Sequence, residues 1–382
     1  MAMLKSPSLY SVSEIADRIN AQALTLAKEL LPNGYRSGNH WMASGIDDSG
    51  KSASLYVYLS GPRIGHWNDA GNARPGEDHG DMIDLIALRL YGGDRKAALQ
   101  DAKNRLGIVD SWSADTPRPS PAEMKAREEE QRRREEQRAA EEMAERQSKM
   151  RGARALYLHR KTTPIAGSIA ERYLVNRGLS AAPIGEWPGA LRFHPEVWNK
   201  EHGVGLYAML GMVLRWDGAK QVHTATHRTY LQNCPRRGWV KIDGKNARMA
   251  LGPWSAGYIP INKGSSGKSM TEMHPDEPVY MAEGIEKCIA IRMKMPGARI
   301  ISGLNLKNMG AVILPPQARR LVMVIDNDKD EAEQASLERA IARQQARGLT
   351  VQLVRPPAPY KDIDEWMIAV APDPVEMQGR AA

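Results

Sequence analysis

The feature that most constrains this chain is a rhythm in its last hundred or so residues. Short apolar runs, VYMAE (279–283), ARIIS (298–302), RRLVMVID (319–326) and LTVQLVR (349–355), alternate with stretches of helical character. Those stretches are GIEKCIAIRMK, a segment from about Lys307, and DEAEQASLERAIARQQARG, which Gly348 stops. Runs this short and rich in β-branched residues read as strands. Strands separated by helical segments of 10–18 residues need crossover connections, so the expected sheet is parallel with helices on its faces. Ligands of such sheets gather at the carboxyl ends of the strands.

Acidic residues stand at those ends. Glu283 closes the first strand and is followed by Gly284; Asp326 closes the third, with Asp328 two residues on and Asp330 after that. Asp362 and Asp364, in KDIDEW, lie just beyond the fourth strand. Carboxylates on one sheet edge repel, and a hard divalent cation relieves the repulsion. A D-x-D pair alone is weak evidence, because Asp is common where strands become loops and caps helices; Asp330 is the expected N-cap of the following helix and Asp326 the least suited to that task. Together with Glu283 the pair points to a metal site.

In this order and spacing, VYMAEGIEKCIAI, RIISGLNLKNM, LVMVIDNDKDEAE and KDIDEW resemble the Toprim domain shared by bacterial-type primases, topoisomerases and some nucleases. The resemblance covers residues 278–368. It implies an α/β fold: a C-terminal Rossmann-like parallel sheet with crossover helices, preceded by α+β domains and a charged helical linker. It also implies that Glu283 acts as acid/base or completes the metal shell, and that Asp326 and Asp328 bind Mg²⁺, with Asp362 and Asp364 assisting. Mn²⁺ is the expected substitute. One departure stands out: many primases carry an Asp four residues after the first Glu, where this chain has Lys287. Glu286, one residue earlier, is the expected replacement.

Upstream, GHWNDAGNARPGEDHGDMIDLIALRLYGGDRKAALQDAKNRLGI resembles the end of the zinc-binding module of bacterial primases, but no cysteine occurs before Cys234. Any such ribbon is therefore expected to lack zinc. HRTYL followed by KNARMALGP is similar to the segment ahead of Toprim in phage and plasmid primase-like proteins. The resemblance thus implies a Mg²⁺-dependent nucleotidyltransferase of the DNA-directed RNA polymerase class, making short primers on single-stranded DNA from NTPs during replication of a phage, plasmid or other mobile element. A replicative helicase is an optional partner.

Charge supports a polyanionic partner. Residues 151–270 carry 18 Lys+Arg against 6 Asp+Glu, a net of +12, whereas residues 1–150 net −2 and residues 271–370 net −1. His227, Arg228, Lys241, Lys245, Arg248 and Lys307 are the candidates for holding nucleic acid or NTP phosphates. Tyr230 and Trp239 are candidate stacking platforms, though aromatic residues on strands more often fill cores.

The expected domains are a metal-free ribbon-like module (1–110), a charged helical linker (111–155), a basic α+β domain (156–270), the Toprim domain (271–370) and a tail (371–382). Within the first, residues 12–31 read as one helix capped by Ser13, and SASLYVYLSG as a strand burying Leu55, Val57 and Leu59. Residues 121–150 read as a solvated spacer laced with i,i+4 charge pairs. Two cysteines 54 residues apart, no apolar run of 18 and no secretory h-region point to a reducing cytoplasm and no membrane. GIDDSGKS (45–52) matches the P-loop pattern but precedes a strand, so it reads as a hairpin turn. His223 and His227 share a strand face without an obvious third ligand. The competing functions are a Toprim nuclease or nicking enzyme and a non-catalytic nucleic-acid-binding replication protein; a topoisomerase would need a tyrosine domain that is not evident.

Overall fold

The structure, a computed structural model, describes residues 10–46, 53–69, 78–108, 120–327 and 331–369. The chain divides into two compact units, 1–144 and 145–382.

The first unit packs α1 (Val12–Asn20), α2 (Ala23–Leu30), α3 (Met82–Leu90) and α4 (Arg95–Arg105) with a five-stranded antiparallel sheet. Its strands, in spatial and chain order, are β1 (Tyr35–Ser37), β2 (His40–Ala43), β3 (Leu55–Tyr58), β4 (Trp67–Asp69) and β5 (His79–Gly80). Alternation in β3 buries Leu55 and Val57 as expected, against Ile15, Ile19, Leu26 and Trp67. The single helix expected over 12–31 is two. Asn20 ends the first, and its side chain accepts a hydrogen bond from the Met82 amide at 3.0 Å, bonding outside its own helix. The cap is Ser11 rather than Ser13, in a capping box with Glu14. Ser13 lies inside the first turn and its hydroxyl donates to Glu135 at 3.1 Å. The P-loop-like segment falls largely outside the described residues; the strand after it is β3.

The charged helix is longer than the sequence pattern suggested. α5 runs Pro121–Tyr157, 37 residues and so ~55 Å at 1.5 Å per residue. It is not wholly solvated. In the first unit Arg138 pairs with Asp17 and Glu142 with Arg63; in the second, Ala153 and Tyr157 are buried.

The second unit holds two sheets. The antiparallel one runs β10 (Gly238–Lys241), β9 (Gln221–Cys234), β8 (Val204–Trp216), β7 (Leu191–Asn199), β6 (Thr163–Pro164), with β11 (Arg248–Leu251) also on β9 and α6 (Ile169–Asn176) packed alongside. The β8–β9 hairpin turns where the sequence placed it: Asp217 Oδ1 accepts from the Ala219 and Lys220 amides at 2.9 and 2.8 Å, and Gly218 takes φ +105°.

The other sheet runs β12 (Ile259–Lys263), β14 (Arg299–Ser302), β13 (Val279–Ala282), β15 (Arg320–Val324), β16 (Thr350–Val354). β14, β13, β15 and β16 are parallel, connected through α7 (Ile285–Lys294), α8 (Leu306–Ala311) and α9 (Glu331–Ala346), with α10 (Ile363–Ala369) following β16. β12, upstream of the alternating pattern, adds an antiparallel edge. The two sheets share one core in which Met209 and Val213 meet Ile259, Ile285 and Ile289. Gly211 makes that approach possible, since a Cβ there would lie 2.6 Å from Ile259 Cδ1.

Candidate active site at the strand ends

In the parallel sheet β13 leads outward to β14 on one side, whereas β15 leads to β16 on the other. The strand order therefore reverses between β13 and β15, which is where the crevice of an open α/β sheet forms. Ala282 and Val324 are paired in register across that gap. Glu283 is one residue past the first and Asp326 two past the second, so both carboxylates reach the same edge across adjacent strands ~4.8 Å apart. They line one cleft together with Lys287, Glu333, Gln334 and Arg355.

Backbone bonds fix this edge. The Ser302 hydroxyl donates to the Glu283 carbonyl at 2.7 Å, and the Arg355 guanidinium donates to the Asp326 carbonyl at 3.1 Å. The Asn327 side chain donates to the Pro356 and Tyr360 carbonyls at 2.7 and 3.0 Å and its amide to the Lys361 carbonyl at 2.9 Å, tying the KDIDEW segment to the end of β15. Asp326 is fully engaged. Its Oδ1 accepts from the Ile363 amide at 3.2 Å, which makes it an acceptor at the start of α10, and its Oδ2 pairs with the Lys287 ammonium.

Of the expected metal ligands, Glu283 and Asp326 are brought together. Asp328 lies outside the described residues, and the side chain of Asp364 is not described. Asp362 is partly buried, and its carbonyl accepts from the Trp366 amide at 3.2 Å at the start of α10; it does not line the cleft. Among the described residues no three His, Cys, Asp or Glu converge as a metal cluster. The donors fit Mg²⁺ in kind, since two carboxylates at one sheet edge supply hard oxygen ligands, and Asp326 is already arranged around a positive charge.

Glu286, the expected replacement for the missing acid, faces elsewhere. It is 3% exposed and accepts from the Tyr173 hydroxyl at 2.5 Å and Arg248 at 2.9 Å. Burial alone would raise its pKa; the Arg248 charge and the hydrogen bonds override burial and hold it well below the usual carboxylate range. Glu286 is thus a structural anion joining α7 to the antiparallel sheet.

The basic candidates scatter accordingly. Arg248 is committed to Glu286. His227 is partly buried, its Nδ1 has no hydrogen-bond partner among the described residues, and burial, then the Arg248 charge, pushes its pKa down to about 4. Arg228 donates to the Tyr230 hydroxyl at 3.1 Å. Tyr230 is fully buried and donates to the Trp198 carbonyl at 2.9 Å, so it is core rather than a stacking platform. Lys307 is exposed on α8, next to Leu306 of the cleft wall. The side chain of Lys245 is not described; its backbone sits in a short turn, Lys245–Ala247. Lys241 lines a cavity of about 670 Å³ with Trp239, Arg177, Arg237 and Tyr173. Trp239 is half-buried, edge-on to Tyr207 at 5.4 Å.

Sequence reasoning missed Arg355, Glu333, Arg177 and Arg237. Arg355 was within reach of the rule that found Asp326, being the first residue beyond β16. The other three come from elements whose placement no local pattern encodes.

Residues 278–373 match the Toprim domain family, and the C-terminal sheet is a Toprim domain. Residues 149–261 match a domain of unknown function, DUF7146. No curated protein matches the chain. Similar solved structures include the zinc-binding and RNA polymerase domains of the Aquifex aeolicus primase, at 12% identity over 93% of this chain and 81% of that one, TM-score 0.39. They also include the primase fragment of the bacteriophage T7 primase-helicase protein, at 11% identity over 85% and 93%, TM-score 0.33. A DnaG primase catalytic domain bound to single-stranded DNA matches at 14% identity over 56% and 74%, TM-score 0.32. The Toprim assignment rests on the family match and its sheet.

Proposed function

We propose that this protein is a primase-like nucleotidyltransferase that joins NTPs on single-stranded DNA with Mg²⁺ at its Toprim cleft. The observation that carries this reading is the meeting of Glu283 and Asp326 at the β13–β15 crossover of a Toprim sheet. The order of parts supports a primase over other Toprim enzymes: a ribbon-like antiparallel module with two helices after it, then a basic sheet, then Toprim. A replicative helicase belongs to the same proposal as an optional partner. Among the described residues no helix is long and apolar enough to cross a membrane.

Asp326 and Glu283 would hold the metal, with Asp328 and, from the segment before α10, Asp362 or Asp364 as further donors. When bound, Mg²⁺ lowers the pKa of the attacking hydroxyl and stabilises the leaving pyrophosphate. Glu283 can take the hydroxyl proton, being the carboxylate of the cleft on the opposite strand from Asp326. Arg355, at the cleft, is placed to meet phosphate oxygens. Lys241, Arg177 and Arg237 give the basic cavity of the antiparallel sheet a positive lining for template or NTP, and Trp239 offers a face for a base. His227, shielded and neutral at pH 7, is dropped from the phosphate contacts.

A specific observation favours a second reading, a nucleic-acid-binding replication protein without catalysis: the Lys287 ammonium sits on Asp326. The deciding experiment is primer synthesis on single-stranded DNA with labelled NTPs and Mg²⁺ or Mn²⁺, comparing the native chain with the Asp326→Ala/Asp328→Ala double variant. Short products from the native chain alone support the polymerase. Cleavage of the template that the double variant loses moves the assignment to a nuclease. Neither activity, with salt-sensitive DNA binding intact in both, leaves the binding protein.

A further inference from the structure

Position 287 lies one helical turn beyond Glu283, where the Toprim resemblance leads one to expect an acid. The lysine there is not a loose surface group. Its side chain is 20% exposed, that of Asp326 is 14% exposed, and the two form an ion pair on Oδ2. The remaining oxygen, Oδ1, accepts from the Ile363 amide. Each oxygen of the carboxylate best placed for the metal therefore already has a donor, and one donor is a full cation.

An ammonium and a divalent ion compete for such a carboxylate in two ways. They cannot occupy the same lone pair, and each raises the electrostatic cost of the other in a half-buried site. The described charges that line the cleft are Glu283, Asp326 and Glu333 against Lys287 and Arg355, a net of −1; without Lys287 the same lining carries −2. Lysine also suits displacement. Its point charge rides on a flexible four-carbon stem, unlike the planar fork of arginine.

Resting on the reading of the cleft as a metal site, we infer that Lys287 is a built-in competitor for the divalent cation at Asp326. The ion reaches this carboxylate only once the ammonium has swung away, so Lys287 sets the cation concentration at which the cleft loads.

The test is Mn²⁺ binding to the full-length chain without DNA or nucleotide, followed by the electron paramagnetic resonance signal of free Mn²⁺. Native protein is compared with Lys287→Met, Lys287→Gln and Lys287→Arg, each with and without Asp326→Asn. Two neutral replacements guard against a variant that misfolds, which thermal unfolding identifies. The expected result is binding at least ~10-fold tighter in the Met and Gln variants, with Arg equal to native or weaker and the gain abolished by Asp326→Asn. Equal or weaker binding in the folded Met and Gln variants, with Asp326→Asn still reducing it, overturns the competition and leaves the metal site standing. Binding indifferent to Asp326→Asn in every background overturns the metal reading, and this inference with it.

Discussion

Glu283 and Glu286 stand three residues apart at the start of α7, and their surroundings are opposite. Glu283 opens onto a cleft shared with Asp326, Lys287 and Arg355. Glu286 is sealed between two sheets, held by Tyr173 and Arg248. One acid lines a cleft, and the other holds the fold around it. An acid's place in a motif therefore does not assign its role. Burial, and the partners that satisfy it, do.

The largest effect expected from this contrast is catalytic. Asp326→Asn keeps an oxygen to accept from the Ile363 amide but loses the charge. It should reduce primer synthesis by ~100-fold or more, since disturbing even the outer partners of a metal ligand commonly costs 10–100-fold. A large loss of stability instead would place Asp326 with Glu286 as a structural acid.

Glu286→Ala should do the reverse. It removes the acceptor of the buried Tyr173 hydroxyl and leaves Arg248 without its anion. Because the Arg248 side chain is 43% exposed, the expected cost is about 2–3 kcal/mol, below the full range for breaking a buried pair. Chemical denaturation measures it, and a change below ~0.5 kcal/mol, the usual size for a surface substitution, would erase the distinction between the two acids.

Acid titration separates them further. His227 has a folded pKa near 4, below its ordinary 6.5, so the unfolded chain binds more protons between those values and stability falls as pH drops through that window. Glu286 has its folded pKa lowered from 4.5 to about 2, so the stability it contributes is complete above 4.5 and lost as pH falls towards 2. Denaturation midpoints across pH 7 to 2 should decline in these two stages. His227→Gln should flatten the first and Glu286→Gln the second. An unchanged profile in both variants would show that neither group is perturbed by folding.

The smallest expected effect belongs to the basic cavity. Lys241→Ala should weaken single-stranded DNA binding similarly across sequences and lower the slope of log affinity against log salt by ~0.7, the value for one phosphate contact. An unchanged slope would place the polyanion elsewhere on the basic sheet.

Much of the Toprim domain was legible from local pattern. The strand–helix rhythm fixed β13 to β16 to within a few residues, and the strand-end rule found Glu283 and Asp326. The same rule, applied to basic residues, would have found Arg355. Tyr230 and Trp239 were legible only as a pair of alternatives, because an aromatic residue on a strand has the same pattern in a core and at a binding face; burial places Tyr230 in the core and leaves Trp239 partly buried against it. Ser13 failed as a cap for a similar reason, since Ser11 satisfies the same rule two residues earlier and Glu14 favours it.

What the sequence determined by itself was the identity of the sheet and the acids at its edge, because both follow from periodicity and from the carboxyl ends of parallel strands. What only the tertiary structure decided was which charges meet. Glu286 finds Tyr173 from 113 residues away, and Lys287 finds Asp326 from 39. Such pairs form because distant strands and helices share one core and its edge, where a buried charge must find a partner. Spacing along the chain carries no record of them.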